Sequence, residues 1–255
     1  MPPLPCWAGQ EARDMAMGQA YDGNRYLRYT NVAIALHWAI ALLILYNLAS
    51  GLLRPVLPRG FFVLHISSGI TILALTLVRI MWRITHRPPP LLPMAPWERI
   101  TAHGVHLLLY AAMLLLPLSG WAMVSANPPA GSPGAAWAEA HRPPPPPPAP
   151  TGGPDRQATG GPAGEGKGGG QPPRKRGPVM IWGIFKLPLI APINAMGRTP
   201  EGVPEQRELH ERIEGAHLLG GWIMLALLVL HVAGALKHQL IDRRRELARM
   251  GIGRP

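Results

Sequence analysis

The sequence predicts an all-α integral membrane protein, a four-helix bundle with a disordered Pro/Gly-rich periplasmic insertion. Hydrophobic residues make up 47% of the chain and charged residues only 15%, which is typical of membrane proteins. The 31 prolines and 29 glycines are concentrated away from the apolar stretches. A helix that crosses a bilayer needs about 20 mostly apolar residues, and four stretches without Asp, Glu, Lys or Arg have this length. Each of them contains histidine.

Each of these stretches begins and ends at a charged residue or at a helix-breaking sequence. They run from Arg28 to Arg54, from Arg59 to Arg79, from Arg99 to Asn127-Pro128-Pro129, and from Glu214 to Lys237. Pro117 falls inside the third, where we expect a kink that neighbouring helices tolerate. The predicted division is a flexible leader (1–24), transmembrane helices one to three (25–126), a low-complexity periplasmic insertion (127–178), a periplasmic interfacial connection (179–209), the fourth helix (210–240) and a basic cytoplasmic tail (241–255).

Basic residues in short connections predict the orientation, because they accumulate on the cytoplasmic side. The N-terminal arm, the connection between the second and third spans, and the C-terminal tail are all rich in arginine. The short loop on the other side has only Arg54 and Arg59. The chain is therefore expected to be a multi-pass membrane protein with both termini in the cytoplasm.

Several other classes of protein are disfavoured. The net charge of +11 could attract nucleic acid, but the basic residues mostly flank apolar stretches, so no nucleic-acid partner is expected. The single cysteine, Cys6, excludes an internal disulfide and a metal cluster held by four cysteines. The N-terminal arm has no apolar core, so we do not interpret it as a secretory signal. Met15 and Met17 are alternative initiators.

The connection between the third and fourth spans divides into two parts. Residues 128–178 include six consecutive prolines and a glycine-rich stretch, and such a segment buries too little apolar area to offset its chain entropy. We therefore expect it to be disordered. The apolar stretch that follows, VMIWGIFKLPLIAPI, is too short to span the membrane. It is expected at the outer interface or as a cap on the bundle, with Trp182 suited to that depth.

Histidines at two depths are the strongest functional signal, because a histidine within a membrane span is costly and often functional. His217 and His231 are fourteen residues apart on the fourth span, which places them about 21 Å apart along the helix and roughly 40° apart around it. His37 lies near the inner end of the first span and His65 near the outer end of the second. The sequence therefore pairs His37 with His231 and His65 with His217 by depth.

Two histidines on opposite faces of one iron are a common way to hold haem, so the pairs predict two haem b groups between which electrons cross the membrane. Zinc fits less well, because it needs four ligands at one depth. A proton relay or ordinary hydrogen-bonded histidines remain alternatives. His210 competes with His217 as the outer ligand. His103 and His106, with Tyr110 one turn later, are left to bind a haem propionate or a quinone, or simply to pack.

Small and basic residues add weaker signals. Glycines and serines let a bulky ring or another helix approach closely, and a cofactor role is as plausible as helix packing for Gly51, Ser67, Ser68, Gly69, Gly120, Gly220 and Gly221. Arg79, or Arg54 and Arg59 on the outer face, could pair with haem propionates.

The same stretches resemble the bacterial cytochrome b561 family. The similarity lies in RYTNVAIALHW, in LHISSGITILALTLVRIMWRITHRPPPL, in HGVHLLLYAAMLLLPLSGW and in HLLGGWIMLALLVLHVAGALKHQLIDR. The resemblance implies that His37, His65, His217 and His231 are the four haem ligands. It also implies that the protein lies in the bacterial cytoplasmic (inner) membrane and exchanges electrons with ubiquinone in the respiratory chain. For one type of member it implies oxidation of superoxide at the periplasmic face. The Pro/Gly-rich insertion and the leader before Tyr21 depart from the family.

Three functions follow as hypotheses. The first is a dihaem cytochrome that carries electrons between a periplasmic donor, for which superoxide is one candidate, and ubiquinone. The second is a cytochrome subunit that anchors a periplasmic redox partner such as a hydrogenase, and the third is a haem-free transporter or scaffold. A basic outer surface would attract superoxide, and its candidate residues are Arg54, Arg59, Arg174, Lys175 and Arg176.

Overall fold

Four long apolar helices dominate the structure, a computed structural model that describes residues 28–86, 89, 95–142, 178–243 and 246–252. The helices are α1 (Asn31–Leu52), α2 (Arg59–Thr85), α3 (Pro96–Ser125) and α6 (Val203–Leu240). Each is long and apolar enough to cross a membrane, with mean hydropathy between 1.9 and 2.1 over its most apolar window. The prediction of an all-α membrane bundle with four spans is therefore confirmed.

Short elements connect and flank these helices. Two of them, α4 (Pro133–Ala140) and α5 (Ala191–Met196), lie between α3 and α6. Strands β1 (Met180–Ile181) and β2 (Phe185–Lys186) form an antiparallel hairpin between them. A 3₁₀ turn (Pro200–Gly202) leads into α6, and α7 (Glu246–Arg249) follows it.

The helix termini follow local sequence signals. The Thr30 hydroxyl accepts a hydrogen bond from the Ala33 amide at the start of α1. Helix α3 begins with Pro96, and the Glu98 carboxylate accepts from the Ala95 amide. This helix continues through Pro117 to Ser125. Helix α6 begins at Val203, seven residues before the predicted start of the span, because the preceding polar turn is helical as well.

The long helices pack side by side, with α1 along α2, α2 along α3 and α3 along α6. Buried apolar side chains of all four form one core, which includes Ile40, Ile72, Leu109 and Met224. Many other large apolar side chains point outward, which a bilayer accommodates and water does not. The outward-facing side chains include Leu42, Leu45, Leu77, Val78, Leu107, Leu115, Leu219, Ile223 and Val229.

One end of the bundle, here called the inner end, brings together the start of α1, the end of α2, the start of α3 and the end of α6. The Trp82 indole donates to the Thr30 hydroxyl at 3.0 Å. Lys237 forms ion pairs with Glu98 and with Asp242, the second at 3.0 Å. The Lys237 ammonium holds the pKa of the Asp242 carboxyl below its usual range. Neighbouring helices therefore alternate in direction.

At the opposite, outer end, the hairpin packs against α2. The Trp182 amide donates to the Ser67 hydroxyl and the Trp182 indole donates to the Thr71 hydroxyl, both at 3.0 Å. Thr71 lies twelve residues after Arg59, or about 18 Å along α2. The hairpin therefore lies along the outer half of α2, with Ile181 almost fully buried.

The prediction of disorder from residue 128 is wrong for its first part. Ser132 caps α4 by accepting from the Ala135 amide, and Pro133 occupies the first helical position. The Gly134 amide donates to the Arg198 carbonyl oxygen, which holds α4 against the segment before α6. The six prolines and the glycine-rich stretch (143–177), like the leader (1–24), lie outside the described residues.

We predict that Gly134→Ala destabilises the contact between α4 and the segment before α6. A Cβ atom there would lie 2.0 Å from the Gly197 carbonyl oxygen and 2.9 Å from that of Thr199. Backbone atoms cannot move away as side-chain ends do, so a cost of about 1–3 kcal/mol is expected. Thermal unfolding in detergent measures it. Gly104→Ala is the matched control, since nothing lies within 4 Å of its Cβ position, and equal melting temperatures of the two variants would contradict the packing.

Candidate functional site

His37 on α1 and His231 on α6 face each other near the inner end. Their ring centroids are 6.2 Å apart and the ring planes are inclined by 62°. Because α1 and α6 run in opposite directions, a residue early in one meets a residue late in the other. Both side chains are only partly exposed.

His65 on α2 and His217 on α6 form a second pair toward the outer end. Their ring centroids are 6.3 Å apart with an angle of 68° between the planes. Phe62 stacks on His65 at 6.0 Å, and the Arg54 guanidinium lies 4.8 Å above the Phe62 ring. Arg54 also pairs with Glu214 at 3.4 Å, on the turn of α6 that precedes His217.

The spacing of both pairs fits one metal ion between two imidazoles. Their ring centres would lie about 6 Å apart, since each metal–nitrogen bond is about 2 Å and each nitrogen lies roughly 1 Å from the centre of its own ring. In the part of the chain that the structure describes, no hydrogen bond joins the two rings of either pair. The arrangement therefore has the donor atoms and the separation that bis-histidine haem ligation requires.

The small residues singled out from the sequence have different neighbours in the structure. Gly51 and Gly120 lie against His65 and His217, at 3.2 and 3.4 Å from a constructed Cβ position to the ring. Gly220 lies against Leu116 instead. The two adjacent serines of α2 serve packing: Ser67 accepts from the Trp182 amide, and Ser68 accepts from the Asn47 amide nitrogen at 2.6 Å. The expectation of a cofactor contact is not supported for these two serines.

His106 is a neighbour of the inner pair that the sequence did not reveal. Its ring centroid lies 5.0 Å from that of His231, and its Nδ1 is 2.6 Å from the Ala102 carbonyl oxygen of its own helix. Close by, Arg79 donates to the Tyr110 hydroxyl at 3.0 Å and to the Ala33 carbonyl oxygen at 3.2 Å. A comparison of depths would have found it, since His106 follows the start of α3 by about as many residues as His231 precedes the end of α6.

The remaining candidates lie elsewhere. Nδ1 of His210 is 3.3 Å from the Ala126 carbonyl oxygen, beyond the end of α3, whereas the partner that faces His65 is His217. His103 is exposed and bonds to the Arg99 carbonyl oxygen of its own helix. The side chains of Arg59, Arg174, Lys175 and Arg176 lie outside the described part.

A zinc site within the membrane is not supported by the histidine positions. In the described part of the chain, the one group of three clustered candidate ligands is Glu98, His238 and Asp242 at the inner end. There the Lys237 ammonium pairs with both carboxylates and supplies the positive charge that a metal ion would otherwise provide. The membrane histidines instead meet two by two across helix interfaces.

A four-helix membrane bundle with facing histidines at two depths is the arrangement of a membrane haem protein. The chain matches the family described as prokaryotic cytochrome b561 over residues 28–253. It therefore belongs to the cytochrome b561 family, whose members are membrane b-type cytochromes.

Three relatives illustrate the similarity. A probable superoxide oxidase CybB of Yersinia pestis is 31% identical over 102 residues, which are 38% of this chain and 58% of the relative. Cytochrome b561 homolog 2 of Escherichia coli K12 is 31% identical over 107 residues, 39% and 57% of the two chains. Cytochrome b562 of Cereibacter sphaeroides is 37% identical over 102 residues, 36% and 63%. The matched region thus spans about three fifths of these relatives.

Proposed function

We propose that the protein holds two haem b groups and carries electrons across the bacterial cytoplasmic membrane between a periplasmic donor and ubiquinone. The ligands are His37 with His231 at the inner site and His65 with His217 at the outer site. The observation that carries the proposal is the equal spacing of the two pairs, 6.2 and 6.3 Å between ring centroids. Haem bound in this way supplies a one-electron carrier.

The protein's own residues set where the two carriers lie. Helix α6 contributes one ligand to each site, and its fourteen-residue spacing separates them by about 21 Å along the helix. The partners come from α1 and α2, so the first two spans are each tied to α6 by one site. The apolar outward faces of the helices keep this path within the hydrocarbon.

The orientation follows from charge. Arginine and lysine are concentrated near the inner end, which includes Arg79, Arg83, Lys237 and Arg243. This distribution supports a cytoplasmic inner end and cytoplasmic termini. His65, His217 and the hairpin then face the periplasm, whereas His37, His231 and His106 face the cytoplasm.

Superoxide is the donor that the outer site favours. A relative bears the name of a probable superoxide oxidase, and a small anion is attracted by cationic side chains at a site's entrance. Arg54 is such a cation near the outer site, since its guanidinium lies over Phe62, which stacks on His65. Glu214 offsets part of this charge, so the attraction by Arg54 is moderate.

A membrane-anchor role for a periplasmic redox enzyme is the second candidate. The observation in its favour is the long connection between α3 and α6, which carries ordered elements at the outer end. Copurification of a periplasmic dehydrogenase or hydrogenase with the protein would favour this role. A colourless purified protein would instead support a haem-free transporter or scaffold.

The ligand assignment predicts that His37→Ala, His65→Ala, His217→Ala and His231→Ala each lower the haem content from two per chain toward one. The reason is that a single imidazole leaves one axial position of the iron empty. A pyridine haemochrome assay on purified protein measures the content. His103→Ala is the control and retains both haems, because His103 bonds to its own helix. Four unchanged haem contents would end the assignment.

His106→Ala distinguishes the inner ligand from its neighbour. The ring of His106 lies near His231, but its Nδ1 is bonded to the Ala102 carbonyl oxygen. We expect this variant to keep two haems, with a shift confined to the inner haem's optical spectrum and reduction potential. Loss of one haem, together with retention in His37→Ala, would make His106 the ligand in place of His37.

Neutralising Arg54 tests the choice of donor. We expect Arg54→Gln to slow superoxide consumption a few-fold at low salt and to weaken its dependence on ionic strength. Pulsed superoxide with optical detection of haem reduction measures the rate. Arg212→Gln is the matched control, since Arg212 is an exposed outer arginine paired with Glu208. An identical salt dependence in the parent and in Arg54→Gln would argue against superoxide attraction at this entrance.

A further inference from the structure

The two outer histidines meet the same dipeptide on different helices. Nδ1 of His65 lies 3.0 Å from the Ser50 hydroxyl of α1, and the next residue, Gly51, touches the His65 ring. Nδ1 of His217 lies 2.8 Å from the Ser119 hydroxyl of α3, where Gly120 makes the same contact. Here each Ser-Gly dipeptide is called a serine–glycine cradle.

The serine hydroxyls determine which ring nitrogen carries the hydrogen. Ser119 donates to the Leu116 carbonyl oxygen at 2.8 Å, and Ser50 donates to that of Asn47 at 3.2 Å. A serine has one hydroxyl hydrogen and a carbonyl oxygen can only accept. If the serine hydrogen pointed to the imidazole instead, the serine oxygen and the carbonyl oxygen would stay equally close with no hydrogen between them. This arrangement favours a histidine Nδ1 that donates to the serine oxygen, which leaves the lone pair on Nε2.

The glycines determine where the ring lies. A Cβ at position 51 would be 3.2 Å from Cε1 of His65, and a Cβ at position 120 would be 3.4 Å from Cε1 of His217. The first distance is shorter than most real Cβ contacts, and the second is at the short limit of ordinary van der Waals contact. An alanine at either position would therefore press against the imidazole, more strongly at position 51. The hydroxyl and the bare backbone thus hold the same edge of each ring.

We propose that Ser50-Gly51 and Ser119-Gly120 are positioning residues that fix the tautomer and orientation of the two outer histidines, so that each presents an unprotonated Nε2 to haem iron. This inference rests on the proposed function. An imidazole whose other nitrogen donates a hydrogen bond is oriented and made more basic as a metal ligand. For the inner pair, the described residues include no serine bonded to His37 or His231, so the cradles distinguish the outer site.

The test compares Ser50→Ala and Ser119→Ala with the parent protein. Loss of an outer-shell partner commonly weakens metal affinity about 10- to 100-fold, so we expect one of the two haems to transfer to apomyoglobin on the order of 10 times faster. The potential of that haem rises, because a less basic ligand stabilises ferric iron less. Its low-spin electron paramagnetic resonance signal broadens as the ring orientation becomes variable. The inner haem keeps its signal and potential.

Ser67→Ala is the matched control. It removes a buried serine that donates to the Val63 carbonyl oxygen and accepts from Trp182, without touching a histidine. Ser119→Thr retains the hydroxyl and is expected to restore parental haem retention. If Ser119→Ala fails to fold, Gly120→Ala reaches the same ring from the backbone side and is expected to shift the same haem.

The outcomes separate this inference from the proposed function. If the parent holds two haems and His65→Ala and His217→Ala each lose one, the proposed function stands. Ser50→Ala and Ser119→Ala are then compared with Ser67→Ala in haem transfer, reduction potential and resonance signal. If they match it, the positioning role of the cradles is wrong and the proposed function is unaffected. A parent with fewer than two haems, or histidine variants that keep both, would remove the proposed function and the cradles with it.

Discussion

The facing of imidazoles from different helices at two depths is the constraint on which the rest of the structure depends. Two sites within a hydrocarbon core about 30 Å thick need ligands well separated along one helix. Helix α6 provides them about 21 Å apart, because fourteen residues return its side chains to nearly the same face. The partner helices must then present a histidine at the matching depth. Helix α1 runs opposite to α6, so its early His37 meets the late His231, whereas α2 runs parallel to α6, so its early His65 meets the earlier His217.

The two halves of the site differ in what surrounds the rings. At the outer end, hydroxyls and glycines of α1 and α3 touch His65 and His217, so three interfaces between helices converge on one pair. At the inner end, His106 and the Arg79–Tyr110 pair lie beside His37 and His231. The outer rings therefore bond to neutral hydroxyls, and the cation near them, Arg54, is paired with Glu214. The cation near the inner rings, Arg79, instead bonds to the neutral groups of Tyr110 and Ala33. Such differences are a known means of giving two carriers different potentials.

The spans and the depth of each histidine could be predicted from the sequence, because both depend on distance along a helix. The position of a residue across a helix interface depends on rotation and tilt, which spacing along the chain does not determine. For this reason the sequence did not reveal that Ser50 and Ser119 bond to the outer histidines, or that the hairpin lies along α2. Short helix α4 was missed because the prolines that follow it dominated the composition of the segment.

The account's central claim is that iron lies between each pair of facing histidines. Anomalous diffraction at the iron absorption edge from crystals of the haem-loaded protein tests it most directly. We expect two iron peaks, one between His37 and His231 and one between His65 and His217, separated along α6 by about 21 Å. A single peak, a peak beside His106 or His210, or histidine pairs with no iron between them would contradict the claim.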